Sequence, residues 1–104
     1  MNRNVITAFT KYTRQKHLSN EVLSCFFKDQ IILANNHIGF HNANFFYCNY
    51  NDDFVFQSEW NNLNNYNKWI NATELNDLYV KYNIQTKYHK TYNKYHLFDD
   101  VFLL

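Results

Sequence analysis

The chain has little of what most catalytic and phosphate-binding motifs require. It contains one glycine, no proline and two cysteines among 104 residues, and its formal net charge is +1. Because Gly39 has no second glycine near it, neither a phosphate-cradling loop nor a dinucleotide-binding fingerprint can form. The near-zero charge excludes a strongly cationic nucleic-acid binder. Two cysteines are too few for a disulfide framework.

Long apolar runs are also missing. No window reaches the roughly 18 uninterrupted apolar residues that a membrane-spanning helix needs, so no transmembrane helix is predicted. The N-terminal residues Met1 to Val5 are too polar to begin a secretory signal, and none is expected.

Aromatic residues and asparagine take the place of the missing types. Aromatic side chains make up 20 % of the chain, and there are 18 asparagines. Phe, Tyr, Met, Ile, Asn and Lys, which have AT-rich codons, together account for half of the residues. This bias indicates mutational pressure on the genome rather than a low-complexity role for asparagine. The interleaved aromatic residues can bury enough surface for one folded domain over residues 1–104.

Apolar spacing predicts an α+β fold that begins with a helix. Val5, Ala8, Phe9 and Tyr12 recur at helical spacing, so residues 4–17 are predicted to form an N-terminal helix. Residues 22–57 contain short aromatic and β-branched runs broken by Asn and Asp, which predicts a short antiparallel β-meander. The first of these runs has an alternative, a helix that begins near Ser19.

The C-terminal part predicts one or two helices. Residues 58–71 are rich in asparagine and predict a turn-rich connection. Thr73 is typical of an N-cap and precedes a helical pattern that ends near Tyr82. Tyr88, Tyr92 and Tyr95 recur at helical spacing and suit a second short helix.

Charge is distributed unevenly, and lysine and tyrosine alternate over residues 79–98. Segments 1–20 and 78–98 each carry +4, whereas segment 21–77 carries −5. The tyrosines and lysines could stack on bases and follow phosphates, lie at a bilayer interface, or contact another protein. Low total charge makes nucleic acid the less favoured partner, and protein contact is favoured. The candidate partner-binding residues are Trp60, Trp69, Tyr88, Tyr92, Tyr95, Lys87, Lys90 and Lys94.

No metal site is predicted, although zinc-type ligands are present. Cys25, His37, His41 and Cys48 supply thiolates and imidazoles, but not at the close paired spacing of zinc sites. If His37 and His41 lie on a strand, they are about 13 Å apart, too far to share an ion. The two cysteines are interpreted as buried free thiols, with a single bridge as the alternative.

No catalytic residue and no cofactor are predicted either. The three serines lack the glycine-supported turn of a nucleophile elbow. His89 and His96 could act as general acid or base, but the sequence specifies no partner for them. We therefore expect the chain not to be an enzyme.

Two resemblances accompany these observations. The stretch Ile70-Asn71-Ala72-Thr73-Glu74-Leu75 resembles the "INAT-x-L" segment of KilA-N domains, which are DNA-binding modules of large DNA viruses and phages. Over its whole length, the composition resembles that of accessory proteins encoded by AT-rich protist mitochondrial genomes, those of ciliates especially.

The second resemblance implies a non-catalytic accessory or structural subunit of a larger assembly. The assembly expected is a mitochondrial respiratory-chain complex at the inner membrane, with other protein subunits as partners and a peripheral membrane contact. A ribosomal protein would be more basic, because contacts with ribosomal RNA require positive charge. The alternative is a small viral or phage protein that binds DNA, as the KilA-N resemblance implies, or that inhibits a host factor.

Overall fold

The chain forms a four-stranded antiparallel sheet with three helices. A computed structural model describes residues 5–13, 18–47 and 53–93, apart from the side chains of Lys87 and Tyr88. In chain order the elements are β1 (Ile6–Thr13), α1 (Asn20–Asn35), β2 (Phe40–Tyr47), β3 (Asp53–Trp60), α2 (Leu63–Ile70), α3 (Thr73–Tyr82) and β4 (Thr86–Asn93). The strand order is β2-β3-β1-β4, which places β1 and β3 at the centre.

The predicted N-terminal helix over residues 4–17 is wrong, because residues 6–13 form the central strand β1. This strand pairs antiparallel with β3 on one side and with β4 on the other. Ile6, Ala8 and Tyr12 face the helices and are buried, whereas Phe9 lies on the opposite face. Apolar residues on both faces of a central strand produced a spacing that mimics a helix.

The first part of the predicted β-meander is helical, and the alternative helix beginning near Ser19 is correct. The Ser19 hydroxyl accepts a hydrogen bond from the Val22 N–H at 3.2 Å and caps α1. Four side chains of α1 at helical spacing are buried: Leu23, Phe26, Gln30 and Ala34. The β-branched residues in this run favoured a strand locally, but packing of the helical face against the sheet prevails. Only β2 and β3 remain of the meander, as an antiparallel pair.

The turn-rich connection predicted over residues 58–71 contains the helix α2. Its N-cap is Asn62, whose side-chain oxygen accepts from the Asn65 N–H at 2.8 Å. Tyr66 and Trp69, three positions apart, are both buried. Capping and aromatic burial outweigh the low helix propensity of asparagine here.

The C-terminal prediction is half correct. Helix α3 follows the expected pattern but begins at Thr73, with Ala72 at the N-cap position. The second predicted helix is wrong, because residues 86–93 form the strand β4, which pairs with β1. Tyr95 lies outside the described residues. The predicted order of helix, meander and helices is therefore replaced by a sheet whose last strand returns to the first.

Gly39 occupies the turn between α1 and β2, where only glycine fits. Its φ angle is +90°, and a Cβ at this position would collide with the Asn65 side chain. Its carbonyl accepts from the Asn61 N–H at 2.8 Å. The single glycine of the chain is thus explained by backbone conformation and close approach.

The helices cover one face of the sheet and enclose a core with two adjoining halves. We name them the tryptophan half and the tyrosine half. The tryptophan half consists of Ile6, Ala8, Ala34, Trp60, Tyr66, Trp69 and Leu75. The tyrosine half consists of Tyr12, Leu18, Leu23, Phe26, Phe54, Phe56 and Ile84. Tyr79 packs against both halves and so marks their junction.

Within the described ranges, no helix has the length and apolar character required to cross a membrane.

Candidate functional site

Three tyrosine hydroxyls and one amide meet inside the core at the junction of its two halves. The Gln30 Nε2 of α1 donates to the Tyr12 hydroxyl at 2.9 Å, and the Tyr12 and Tyr79 hydroxyl oxygens are 2.9 Å apart. Tyr66 belongs to the tryptophan half, against which Tyr79 packs, and its hydroxyl is also buried. We name Tyr12, Gln30, Tyr66 and Tyr79 the buried polar cluster.

Tyr12 is at the centre of the hydrogen bonds in this cluster. Its oxygen accepts from the Gln30 Nε2, and either hydroxyl can donate in the bond between Tyr12 and Tyr79. Two polar atoms are left over. Among the described residues, neither the Gln30 Oε1 nor the Tyr66 hydroxyl has a hydrogen-bond partner, although both atoms are buried.

Burial keeps these tyrosines neutral. Loss of solvent raises the pKa of Tyr12 well above its usual value of 10 and does the same for Tyr79. It also raises the pKa of Tyr66 to about 12, and the nearby Thr10 side chain offsets the rise only in part. At physiological pH the three side chains are therefore hydrogen-bond donors and acceptors, and none is a phenolate that could act as a base.

A histidine lies at the solvent side of the cluster. His89 of β4 is opposite Thr10 of β1, and its Nδ1 is 2.8 Å from the Thr10 hydroxyl. Partial burial lowers the pKa of His89, so the ring is neutral at pH 7. A neutral imidazole bonded to Thr10 through one ring nitrogen keeps the other nitrogen for proton exchange. Thr10 is thus bonded to His89 and lies near the Tyr66 hydroxyl without a hydrogen bond to it.

Two clefts open beside β4 on the face that carries His89. One has a volume of about 560 Å³ and is bordered by Tyr79, Ile84 and Thr86. The other has a volume of about 450 Å³ and is bordered by Ile6 and Thr91. Both volumes fall within the range of small-molecule sites. Tyr79 borders the first cleft and is a member of the buried polar cluster. The first cleft is therefore the one through which a ligand would reach the cluster.

The two predicted tryptophan anchors are core residues of this chain. Trp60 and Trp69 are 0 % and 1 % exposed, and their ring centroids are 5.7 Å apart. The Trp60 Nε1–H donates to the Ser58 hydroxyl at 2.9 Å. No partner is present to test the predicted contact.

The tyrosine–lysine segment is divided between the two faces of the sheet. Tyr92 and Lys90 lie on the face away from the helices, where Tyr92 meets Phe9 edge to face at 5.8 Å. The Lys90 Nζ is 5.9 Å from the centre of the Tyr92 ring. Lys87 and Tyr88 belong to β4, but their side chains lie outside the described part, as do Lys94 and Tyr95 entirely. The partner role of these residues stays a prediction.

The residues considered for zinc are dispersed. Within residues 5–13, 18–47 and 53–93, no three His, Cys, Asp or Glu side chains are placed to hold a metal ion. Cys25 is a free thiol on α1 and is exposed, so its predicted burial is wrong. Cys48 lies outside the described ranges.

Sequence reasoning found only one member of this site. His89 was a candidate acid or base without a partner, and the structure supplies Thr10. Gln30 was missed because its segment was predicted to form strands and not a helix. On a helix, a Gln in line with Leu23, Phe26 and Ala34 would have indicated a buried amide. Tyr12, Tyr66 and Tyr79 carry no local signal, because each comes from a different element.

The fold is shared with several proteins of known structure. No protein-family model matches the chain, and a search of curated proteins finds no significant match. SnoaB, a cofactor-independent oxygenase from Streptomyces nogalater, superposes with a TM-score of 0.71 at 11 % identity, over 86 % of this chain and 91 % of its own. A candidate antibiotic biosynthesis monooxygenase from Chloroflexus aurantiacus gives 0.63 at 10 % identity, over 86 % and 91 %.

A third structure belongs to the same group. It is a Bacteroides thetaiotaomicron protein of unknown function, described as a possible oxidoreductase, with a TM-score of 0.68 at 11 % identity over 86 % of this chain and 97 % of its own. At such low identities the likeness defines the fold. The KilA-N and mitochondrial resemblances receive no test from these matches.

These matches correct the functional predictions. The expected non-catalytic subunit of a membrane-associated respiratory complex and the absence of enzymatic activity are contradicted, since the fold is that of proteins described as oxygenases. The sequence lacks motifs for phosphate binding and for nucleophilic catalysis. That absence does not exclude catalysis by hydrogen-bonding side chains inside a core.

Proposed function

We propose that this chain is a small oxygenase that oxidises an electron-rich aromatic compound with molecular oxygen and without a cofactor. Because fold alone does not define function, the proposal depends on the site. The observation that carries it is the buried polar cluster, where the Gln30 Oε1 and the Tyr66 hydroxyl have no partner among the described residues. Buried polar atoms without partners cost about 1–3 kcal/mol each, and a polar ligand removes that cost.

The class of substrate follows from the proposal that no cofactor takes part in the reaction. All electrons that reduce O₂ must then come from the substrate, which favours a phenol with a free para position. His89 accepts the phenolic proton, and the electron-rich para carbon forms a C–O bond with O₂. The resulting peroxide anion takes back the proton from His89, and the hydroperoxide then loses water together with the hydrogen of the para carbon, which leaves a para-quinone. One phenol and one O₂ thus give one quinone and one water.

The other residues of the site orient the substrate and stabilise charge. Tyr79 borders the cleft as a neutral donor, because burial raises the pKa of its hydroxyl. It can stabilise the negative charge that develops on the substrate oxygen. The Gln30 Oε1 can accept from a second substrate hydroxyl, since the Gln30 amide is held in orientation by its bond to Tyr12.

The experiment is an oxygen-consumption assay with α-naphthol, a phenol with a free para position. We expect equimolar O₂ uptake and quinone formation without added flavin or metal. Replacing His89 by Gln, which retains a hydrogen-bonding amide but cannot accept a proton, should lower kcat by about 100-fold or more. The matched control is His41→Gln, an exposed histidine of β2 outside the cluster, and it should leave kcat unchanged.

The pH profile gives a second test. Because partial burial lowers the pKa of His89, its basic form is present above the usual histidine value near 6.5 and is lost only at lower pH. Turnover should therefore be constant around neutrality and fall on the acid side of that value. Equal turnover by His89→Gln, or no binding and no oxidation of α-naphthol and related phenols, would contradict the proposal.

Intracellular location is a separate proposal. A mitochondrial location is supported by composition alone, and cell fractionation with an antibody to the chain tests it.

A further inference from the structure

The outer surface of the helical layer carries a groove that the proposed oxygenase reaction does not use. It lies between α1 and α3 and has a volume of about 400 Å³. Ile32 and Leu33 form its α1 side, and Leu78 lies on the α3 side. Ile32 is 63 % exposed and adds a large aliphatic side chain to the surface of the groove. The groove therefore presents apolar surface to solvent.

The rim of this groove is acidic. Glu74 and Asp77 line it from α3, and both are exposed. Within the described ranges, neither carboxylate has an ion-pair or hydrogen-bond partner. Asp29, the acid of the α1 side, is already engaged, since it accepts from the Tyr82 hydroxyl at 2.6 Å and lies 3.7 Å from the Lys81 Nζ. Lys81 also lines the groove, so its charged side chains leave a net charge of −2 beside the apolar residues.

We infer that the α1–α3 groove docks an amphipathic, positively charged helix of a partner protein. A third helix can place apolar side chains between two packed helices while its basic residues meet the rim. The lining residues of α1 run from Asp29 to Asn36, a rise of about 10 Å, which is two turns of such a helix. Anionic lipid and nucleic acid are disfavoured, because Glu74 and Asp77 repel phosphate. A small polyamine would not use the exposed Ile32.

The test is a fluorescence-anisotropy titration with labelled model peptides. The first peptide carries leucine and lysine at helical spacing over roughly four turns, and the second has glutamate in place of lysine. We expect saturable binding of the lysine peptide only. The double variant Glu74→Lys/Asp77→Lys should weaken that binding about ten-fold, since each reversal replaces an attraction by a repulsion.

Matched variants distinguish this groove from general surface charge. Glu21→Lys changes the same charge in the first turn of α1, outside the groove, and should alter affinity less than about two-fold. Ile32→Ser should weaken binding without changing the net charge. Asp77→Asn, a milder change, replaces the double variant if thermal melting shows that the latter is unfolded.

Four results would overturn the inference. They are equal binding of the two peptides, equal weakening by Glu21→Lys, no effect of Ile32→Ser, and binding of oligolysine as strong as that of the leucine–lysine peptide. The last result would indicate attraction by charge alone. Since none of these variants touches the buried polar cluster, phenol oxidation should be unchanged in all of them.

Discussion

The tryptophan half and the tyrosine half of the core differ in how they treat polar atoms. In the tryptophan half, the indole N–H of Trp60 has a partner in Ser58, and the two tryptophan rings pack against each other. In the tyrosine half, Gln30 and Tyr12 begin a buried chain of hydrogen bonds, and the amide oxygen of Gln30 is left without a partner. The comparison teaches that the tryptophan half, apart from its unpartnered Tyr66 hydroxyl, is built for stability, and that the tyrosine half holds binding capacity at some expense of stability.

The largest expected effect comes from truncation in the tryptophan half. Trp60→Ala removes a fully buried indole and should lower the free energy of unfolding by about 3–5 kcal/mol, measured by urea denaturation. Val80→Ala, at a position that is 71 % exposed, is the control and should change it by less than about 0.5 kcal/mol. A smaller loss for Trp60→Ala than for any change in the tyrosine half would break the comparison.

Alkaline pH should weaken the junction of the two halves. The pKa of Tyr66 is raised to about 12, so the unfolded chain, with a tyrosine pKa near 10, releases its proton first. The unfolded state then binds fewer protons than the folded state, and stability falls as pH rises above 10. Tyr66 alone accounts for about 2 kcal/mol at pH 12. Urea denaturation of Tyr66→Phe at several pH values should show a shallower loss, and an identical slope would contradict this attribution.

Tyr12→Phe tests the hydrogen bonds of the tyrosine half. The Gln30 amide loses its only partner among the described residues while staying buried, so the free energy of unfolding should fall by about 1–3 kcal/mol. Tyr66→Phe is the matched comparison at neutral pH, because its hydroxyl has no partner in the described part of the chain. That variant should be as stable as the parent or more stable. The reverse ranking in urea denaturation would show that Tyr12 is not the side chain that satisfies the Gln30 amide.

The variant with the smallest expected change in stability tests whether Gln30 serves binding or folding. Gln30→Leu removes one hydrogen bond together with one unpartnered buried oxygen, so the free energy of unfolding should change by less than about 1 kcal/mol. Phenol affinity, measured without oxygen by tyrosine and tryptophan fluorescence, should nevertheless fall. Gln57→Leu, a half-buried glutamine on the opposite face of the sheet, should leave affinity unchanged. A large stability loss with unchanged affinity would assign Gln30 to the scaffold.

Part of this fold could be predicted from the sequence because the signals are local. Ser19 and the residues after it carry the cap and the helical face of α1, and the apolar spacing after Thr73 indicates α3. The strands β1 and β4 could not be assigned in this way. Their identity depends on pairing between residues far apart in the chain, such as Thr10 and His89, which local spacing does not record.

The candidate site was harder to predict for the same reason. His89 is recognisable as a titratable group, but its neutral state follows from burial that only the folded sheet provides. The buried polar cluster draws one residue from each of β1, α1, α2 and α3, namely Tyr12, Gln30, Tyr66 and Tyr79. In the sequence, none of the four is distinguishable from an ordinary core or surface residue. Their chemistry begins only where four elements meet.

The position of β1 at the centre of the sheet also governs how the protein is made. This strand is synthesised before its partners β3 and β4, which follow only at residues 53–60 and 86–93. Until then Ile6, Phe9 and Tyr12 have no strand to pair with. Such distant pairing slows folding and lengthens the exposure of apolar segments. Nascent chains that stop before Thr86 should therefore depend on chaperones. They still lack β4, which completes the sheet and carries His89.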